Sequence, residues 1–174
     1  MTLDPAGLHI IHYPDPVLRG AAQPVERITD EVRGVAHRML CLMQEAPGIG
    51  LAAPQVGLPW RMFVSNTTGE ADDDLVFINP HLTEPSRELD ELEEGCLSIP
   101  EVRGMIHRHS RITIQAMDAE GEPFALTGEG LPARVWQHEH DHLDGVLIIQ
   151  RMTPIDRMAN KRQLKLLEEE YAGE

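Results

Sequence analysis

Only two of the 174 residues are cysteines, Cys41 and Cys96. Two cysteines make no disulfide framework, so a reducing compartment, the cytoplasm, is the expected setting. Aromatic side chains are scarce at 4%, and the core is expected to lean on Leu, Ile, Val, Ala and the eight methionines. No apolar run approaches the roughly 18 residues of a membrane-spanning helix, so no such anchor is expected. Basic residues number 15 against 29 acidic ones, for a net charge of −14. Without a basic stripe, like-charge repulsion disfavours broad contact with free nucleic acid. The opening residues, MTLDPAGLHIIHYPDP, place prolines and an early acid where a signal peptide needs a basic cap and an apolar run. No fixed-period repeat or low-complexity tract stands out. Length and a hydrophobic fraction of 41% describe one domain, residues 1–174, able to bury a core.

Leu8 to Tyr13 reads as an extended arm, stopped by Pro14 and Pro16. A helix is predicted over residues 29–45: Val32, Val35, Ala36, Met39, Leu40 and Met43 form one stripe, and Asp30 and Glu31 lie at the positive end of its dipole. Cys41 falls off that stripe and reads as a small filler. In the stretch from Ala46 to Gln55, prolines and glycines bracket tiny side chains, which suits neither a regular helix nor an ordinary strand. Met62–Ser65 and Leu75–Asn79 are predicted strands, joined by a polar loop whose three aspartates lack the ligand spacing of a calcium loop. Residues 84–94, dominated by Glu and Asp, read as an irregular exposed edge. Ile112, Ile114 and Ala116 alternate with polar residues as a half-buried strand, and Gly121 turns into a second strand at Pro123–Thr127. Val146–Ile149 is a predicted short strand. A last helix is expected to open with Thr153 as N-cap and Pro154 at its first position, then run unbroken through Met158, Ala159, Arg162 and Leu166. Strand-helix alternation is missing, so the fold class is α+β.

The densest chemistry lies in Gln137-His138-Glu139-His140-Asp141-His142. On a helix, His138 and His142 stack on one face. Glu139 lies beside them, able to reach a metal-bound water without being a ligand, which is the H-E-x-x-H arrangement of a metallohydrolase. Leu131, Val135, His138 and His142 recur at helical spacing, Pro132 suits the first turn, and Gly145 is placed as a stop. A third ligand has to come from elsewhere. Cys96, Asp141, the other histidines and the acidic run are all candidates. Asp141 points away from the two-histidine face, and the remaining histidines show no cooperating spacing. Cys96, in the compact turn Glu94-Gly95-Cys96-Leu97-Ser98, leads. A thiolate with two imidazoles suits a borderline divalent metal and leaves a position for water.

Three segments together resemble those of the bacterial peptide deformylases: Gly48-Ile49-Gly50-Leu51-Ala52-Ala53-Pro54-Gln55, Glu94-Gly95-Cys96-Leu97-Ser98, and Gln137-His138-Glu139-His140-Asp141-His142. The likeness extends to the arm from His12 to Arg19 and covers nearly the whole chain. It implies a small single α+β domain with mostly antiparallel sheets around the metal-binding helix, and a C-terminal helix. The implied activity is removal of the formyl group from N-formylmethionine on nascent polypeptides. By this resemblance Cys96, His138 and His142 hold one divalent metal per chain, ferrous iron in life, with Zn2+, Ni2+ or Co2+ able to occupy the site. The donor set by itself would select zinc. Glu139 is the implied acid–base group, with the Gln55 amide and the Leu97 N–H as donors to the formyl oxygen. Ile49, Leu92 and Val135, with the backbone around Arg134, are the implied methionine pocket. Gly50, Glu94 and Gly95 support the bound peptide, and Arg103 borders the channel and steadies Glu94. The basic cluster Arg157, Lys161, Arg162 and Lys165 on the last helix either docks on the ribosome, as the resemblance implies, or simply solvates that helix.

Two alternatives compete with this reading. A zinc endopeptidase of the H-E-x-x-H class would need a third ligand on the C-terminal side, where no histidine follows His142. A structural metal site in a protein- or ribosome-binding module would close the fourth coordination position and leave Glu139 without a task.

Overall fold

The computed structural model describes residues 3–173; residues 1, 2 and 174 of the expected domain lie outside the described residues. The arm Leu8–Tyr13 is extended and joins the domain through its backbone: the Ile11 N–H donates to Gln55 O (2.9 Å) and the Tyr13 N–H to Ser98 O (2.8 Å). Helix α1 is Asp30–Glu45, capped by the Thr29 hydroxyl, which accepts the Val32 N–H. Its buried face carries Val32, Val35, Ala36, Met39, Leu42 and Met43. The Pro/Gly-rich stretch then supplies a three-residue strand, β1 (Gly50–Ala52), and one 3-10 turn, Ala53–Val56.

Strands β2 (Met62–Ser65) and β3 (Leu75–Thr83) follow. β4 is Leu89–Cys96 and β5 is Ile99–His109, and these two pair only with each other. β6 (Arg111–Met117) and β7 (Pro123–Glu129) complete a five-stranded sheet in the order β1-β2-β3-β6-β7, antiparallel throughout. Helix α2, Leu131–Leu143, crosses behind this sheet. It is followed by the helical turn α3 (Ile148–Arg151), then α4 (Pro154–Ala159) and α5 (Lys161–Ala172).

The α+β class and the C-terminal helix are as expected, and three local readings are corrected. Residues 89–94 are strand, not irregular edge. Their side chains are exposed except Glu94, but their backbone pairs with β5 from Leu89↔His109 to Gly95↔Arg103. Solvated acidic side chains do not oppose a ladder whose inward face is built by the partner, here Val102, Gly104, Ile106 and Arg108. Val146–Ile149 is no strand; Val146 and Leu147 lead into the turn of α3. The last helix is broken in two at Asn160, whose side-chain amide donates to Asp156 O (2.8 Å) and to Arg103 O on β5 (2.7 Å). Its beginning is as expected, with the Thr153 hydroxyl accepting the Asp156 N–H at 3.1 Å.

That break has a purpose on the sheet side. The Met105 N–H donates to Asp156 Oδ2 (3.1 Å), so Asp156 and Asn160 together take up two of the outward-pointing groups of β5. The apolar core falls into three clusters. One packs α1 onto β1 and β2; a second gathers Phe63, Phe77 and Trp136 with Phe124 beside them; the third joins Tyr13 and Leu18 to Ile99, Val102, Ile106, Leu147 and Leu167. Gly145 ends the helix with φ +70°, and a side chain there would strike the Arg19 carbonyl. Ala133, Trp136 and Leu143 of α2 lie in the second cluster, against the five-stranded sheet, and hold in place the helix that carries the residues described next.

Candidate metal centre

His138 and His142 lie one turn apart on α2, and Cys96 stands at the end of β4, facing them. Among the described residues these are the only three His, Cys, Asp or Glu side chains whose ligand atoms all fall within 4.8 Å of one another. The Cys96 Sγ and His142 Nε2 are 3.3 Å apart, as are the two Nε2 atoms. A tetrahedral ion with bonds of about 2.0–2.3 Å would separate its ligands by about 3.3–3.7 Å, so the spacing suits one ion between them. His138 Nδ1 lies 2.9 Å from Glu94 Oε2, an acceptor that turns Nε2 toward the centre. His142 Nδ1 is buried without a partner among the described residues.

Burial works to lower the His138 pKa, but hydrogen bonds to Cys96 and Glu94 outweigh it and push His138 up to about 10. Burial, then the neighbouring His138 charge, holds His142 well below its ordinary value. A soft thiolate and two imidazoles around a single cationic centre fit a borderline divalent metal.

Glu139 is 4% exposed, and its Oε2 is buried with no partner among the described residues. Burial raises its carboxyl to about 7, against the opposing charges of His138 and Arg108. Gly50 of β1 lies flat against it: a methyl group there would overlap the Glu139 carboxyl. Gly50→Ala is therefore expected to displace the carboxylate and leave the three donors untouched. A misplacement of about 1 Å costs roughly 10²-fold in rate, so hydrolysis should fall that far at unchanged metal content, measured by assay with metal analysis on the same sample.

Gln55 is 1% exposed, and its ends are fixed separately. Its Oε1 accepts the Ala52 N–H (2.8 Å), while Nε2 faces Ser98 Oγ (3.1 Å) and Cys96 Sγ (3.6 Å). The N-terminal arm grips the backbone of Gln55 and of Ser98, so it ties the two segments that meet at the thiol.

Glu94 is the hub behind the centre. Arg108 donates to both its oxygens, Nε at 2.8 Å and Nη2 at 3.0 Å, and Arg134 Nη1 donates at 2.7 Å. Burial alone would raise the Glu94 carboxyl, but hydrogen bonds from His138 and Arg108 hold it well below the usual carboxylate range. Asp141, which does turn away from the metal-facing side, accepts from Arg108 (2.6 Å) and from Arg151. The sequence reading gave the steadying of Glu94 to Arg103, and the structure corrects it. The Arg103 side chain is 67% exposed, and its nearest acid is Glu93 at 3.8 Å. Strand alternation turns Arg103 outward and Arg108 inward. Arg108 was missed, although the pattern Val102, Gly104, Ile106, Arg108 carries its signal.

A cleft of about 540 Å³ opens over the centre, lined by Cys96, His138, Glu139, Gln55, Leu97, Ile49, Gly50, Glu94, Gly95, Arg103, Arg134 and Val135. His142 reaches the centre from beneath and is 1% exposed. Leu92 does not line this cleft: it is 51% exposed on β4, and Leu131 stands in the wall instead. The family model for polypeptide deformylase matches residues 8–158. The chain belongs to the peptide deformylase family. A peptide deformylase of Rhizobium meliloti is 46% identical over 159 residues, covering 90% of this chain and 89% of that one. A Plasmodium falciparum peptide deformylase structure has a TM-score of 0.91 at 36% identity, covering 94% of this chain and 97% of that chain. A plant peptide deformylase structure has a TM-score of 0.92 at 36% identity, covering 98% and 94% respectively. The family-model match spans every residue of the metal centre described above and ends before α5.

Proposed function

We propose that this chain is a metal-dependent peptide deformylase that hydrolyses the N-formyl group from N-formylmethionine at the start of nascent polypeptides, releasing formate. One observation carries the reading: Cys96, His138 and His142 converge beside Glu139, whose Oε2 has no partner among the described residues, at the floor of an open cleft. An ion held by those three residues, ferrous iron in the cell and zinc, nickel or cobalt in its absence, would acidify a bound water and polarise the formyl oxygen.

The remaining work falls to the chain. Glu139 accepts the water proton and returns a proton to the departing amine, a double duty suited to a carboxyl whose affinity for protons has been brought near neutrality. The Gln55 amide and the Leu97 N–H receive the charge that develops on the formyl oxygen; one such donor is worth roughly 3–4 kcal/mol. Gly50, Glu94 and Gly95 shape the floor on which the peptide backbone lies extended. Ile49 and Val135, with Leu131 and Arg134, border the methionine side chain, and Arg103 stands at the channel mouth. Residues 1–174 form one catalytic domain in this reading.

The family match does not favour an endopeptidase. Glu168 and Glu169, the C-terminal acids such a site would call on, are engaged with Tyr13 and Lys165. A closed structural site would leave the cleft and the buried Glu139 carboxyl without use. We further propose a cytoplasmic setting, in keeping with the absence of any described helix long and apolar enough to cross a membrane. Contact with the ribosome would run through the exposed Arg157, Lys161, Arg162 and Lys165 of α4 and α5.

The test compares formyl-Met, formyl-Leu and acetyl-Met peptides. Formyl-Met is expected to lead formyl-Leu by a small factor, since an apolar pocket yields only about 1–3 kcal/mol per methylene. Acetyl-Met should react far more slowly, because the extra methyl overlaps the floor. Chelator should abolish the activity and cobalt restore it. Equal rates on formyl and acetyl substrates, or full activity in chelator, would refute the reading.

A further inference from the structure

The three donors come from two units, the β4–β5 hairpin and α2. Cys96 closes β4, whose residues 89–93 are exposed, whereas the histidines ride on α2. Among the described residues, and apart from contacts between the donors themselves, only His138 and Arg134 join α2 to β4 by side-chain hydrogen bonds, while Arg108 to Asp141 and Gln137 to the His109 backbone tie α2 to β5 farther from the thiol-bearing strand. Arg134 lies one turn ahead of His138 on the same helix face. It is 6% exposed. Its Nη1 donates to Glu94 Oε1 (2.7 Å) and to Ile106 O (3.0 Å), and its Nη2 to Asp90 O (2.6 Å).

Those acceptors lie on both strands of the hairpin, with Asp90 opposite Arg108 and Leu92 opposite Ile106 in the ladder. The planar guanidinium therefore crosses the hairpin face and grips two strands at once, which a lysine ammonium cannot reproduce. The carboxylate it holds is also the one that receives His138 Nδ1. Arg134 acts on both sides of the centre, on the strand that carries the thiol and, through Glu94, on the ring of one histidine.

We propose that Arg134 is a positioning residue for the metal centre: it clamps the Cys96-bearing hairpin to the histidine-bearing helix and so sets how tightly a divalent ion is retained. The inference rests on the donor trio being a metal site, and is independent of which peptide the enzyme takes. Removal of Arg134 leaves Glu94 its bonds to Arg108 and His138, and leaves Asp90 and Ile106 in their ladder, so the variants are expected to fold.

The experiment uses the full chain loaded with cobalt, as wild type, Arg134→Lys and Arg134→Met. Cobalt affinity is read by competition with a chelator, and coordination by the visible ligand-field bands. Arg134→Met is expected to bind cobalt roughly 10- to 100-fold more weakly, the usual effect of losing a group that orients a ligand, with altered bands; Arg134→Lys should fall between it and wild type. Should Arg134→Met precipitate, the lysine variant decides alone: weaker cobalt binding supports the clamp and wild-type binding overturns it. A purely structural role would lower the melting temperature of the metal-free and loaded forms equally and leave affinity and bands unchanged, which would also overturn the proposal. Cobalt uptake by a wild type inert toward formyl-Met peptides would count against the deformylase assignment and leave the clamp standing.

Discussion

Replacing Glu139 by Gln is expected to keep the metal in place and remove most of the activity toward a formyl-Met peptide. The substitution is isosteric and puts no new charge in the interior, and the Glu139 carboxyl is not one of the three converging donors. The amide can neither take the proton from water nor give one to the leaving amine. A positioned acid–base group is worth roughly 10²–10⁴-fold, and the double role places the loss at the upper end or beyond. Wild type should also show an acid limb in kcat/KM, because a protonated Glu139 cannot act as base. Burial raises this carboxyl to about 7, and the positive charge of a bound ion draws it down again, so the limb should lie below pH 7. It should vanish from the residual activity of Glu139→Gln. Cys96→Ser and His138→Ala should instead lose metal first and activity with it. Near-normal turnover by a fully loaded Glu139→Gln enzyme would remove Glu139 from the mechanism, and loss of the metal would make it a ligand or a support for one.

Arg108→Met should be the costliest single change to stability outside the apolar core. Arg108 is buried between Glu94 and Asp141, bonded to both. Breaking a buried ion pair from one side costs about 3–5 kcal/mol, because the partner charge stays behind. Arg134 remains on Glu94 and Arg151 on Asp141, which argues for the lower end. At about 2–4 °C per kcal/mol for a chain of this size, the melting temperature should drop by roughly 10 °C. Arg103→Met, five residues away on the same strand, should stay within about 0.5 kcal/mol of wild type, as exposed substitutions do. Thermal unfolding of the metal-loaded proteins decides it; equal shifts for the two variants would show that Glu94 does not depend on Arg108.

The contrast between these two arginines shows where the sequence is readable. The metal helix was legible because its two histidines and its carboxylate are neighbours at helical spacing, and α1 because six apolar residues repeat with the helical period. Cys96 led among several third-ligand candidates, and only the likeness of the segment around it to a family singled it out. Arg108 was hidden for a different reason. Its orientation depends on the phase of a strand that Pro100, Gly104 and several charges disguise, and on a partner strand, β4, that looks like an acidic loop. Five residues is an odd number, so one arginine faces water and the other the core; only the pairing reveals which. Leu92 was misplaced in the same way, because its exposure follows from the hairpin and not from its own hydrophobicity. The break at Asn160 depends on a contact 57 residues distant in sequence, which no local pattern encodes.

The side chains of Asp156 and Asn160 occupy the outer edge of β5 as a neighbouring strand would. An open strand edge is a template on which any extended chain can assemble. A protein that handles unfolded nascent chains meets such segments continually, more often than most proteins of its size. A carboxylate and an amide already hold two of the outward groups of β5, so a strand adding on that side would have to displace them, whereas the other strand of the hairpin, β4, ends at Cys96. The C-terminal segment thereby works against extended chains accumulating on the hairpin's rear edge and against copies of the enzyme stacking through it.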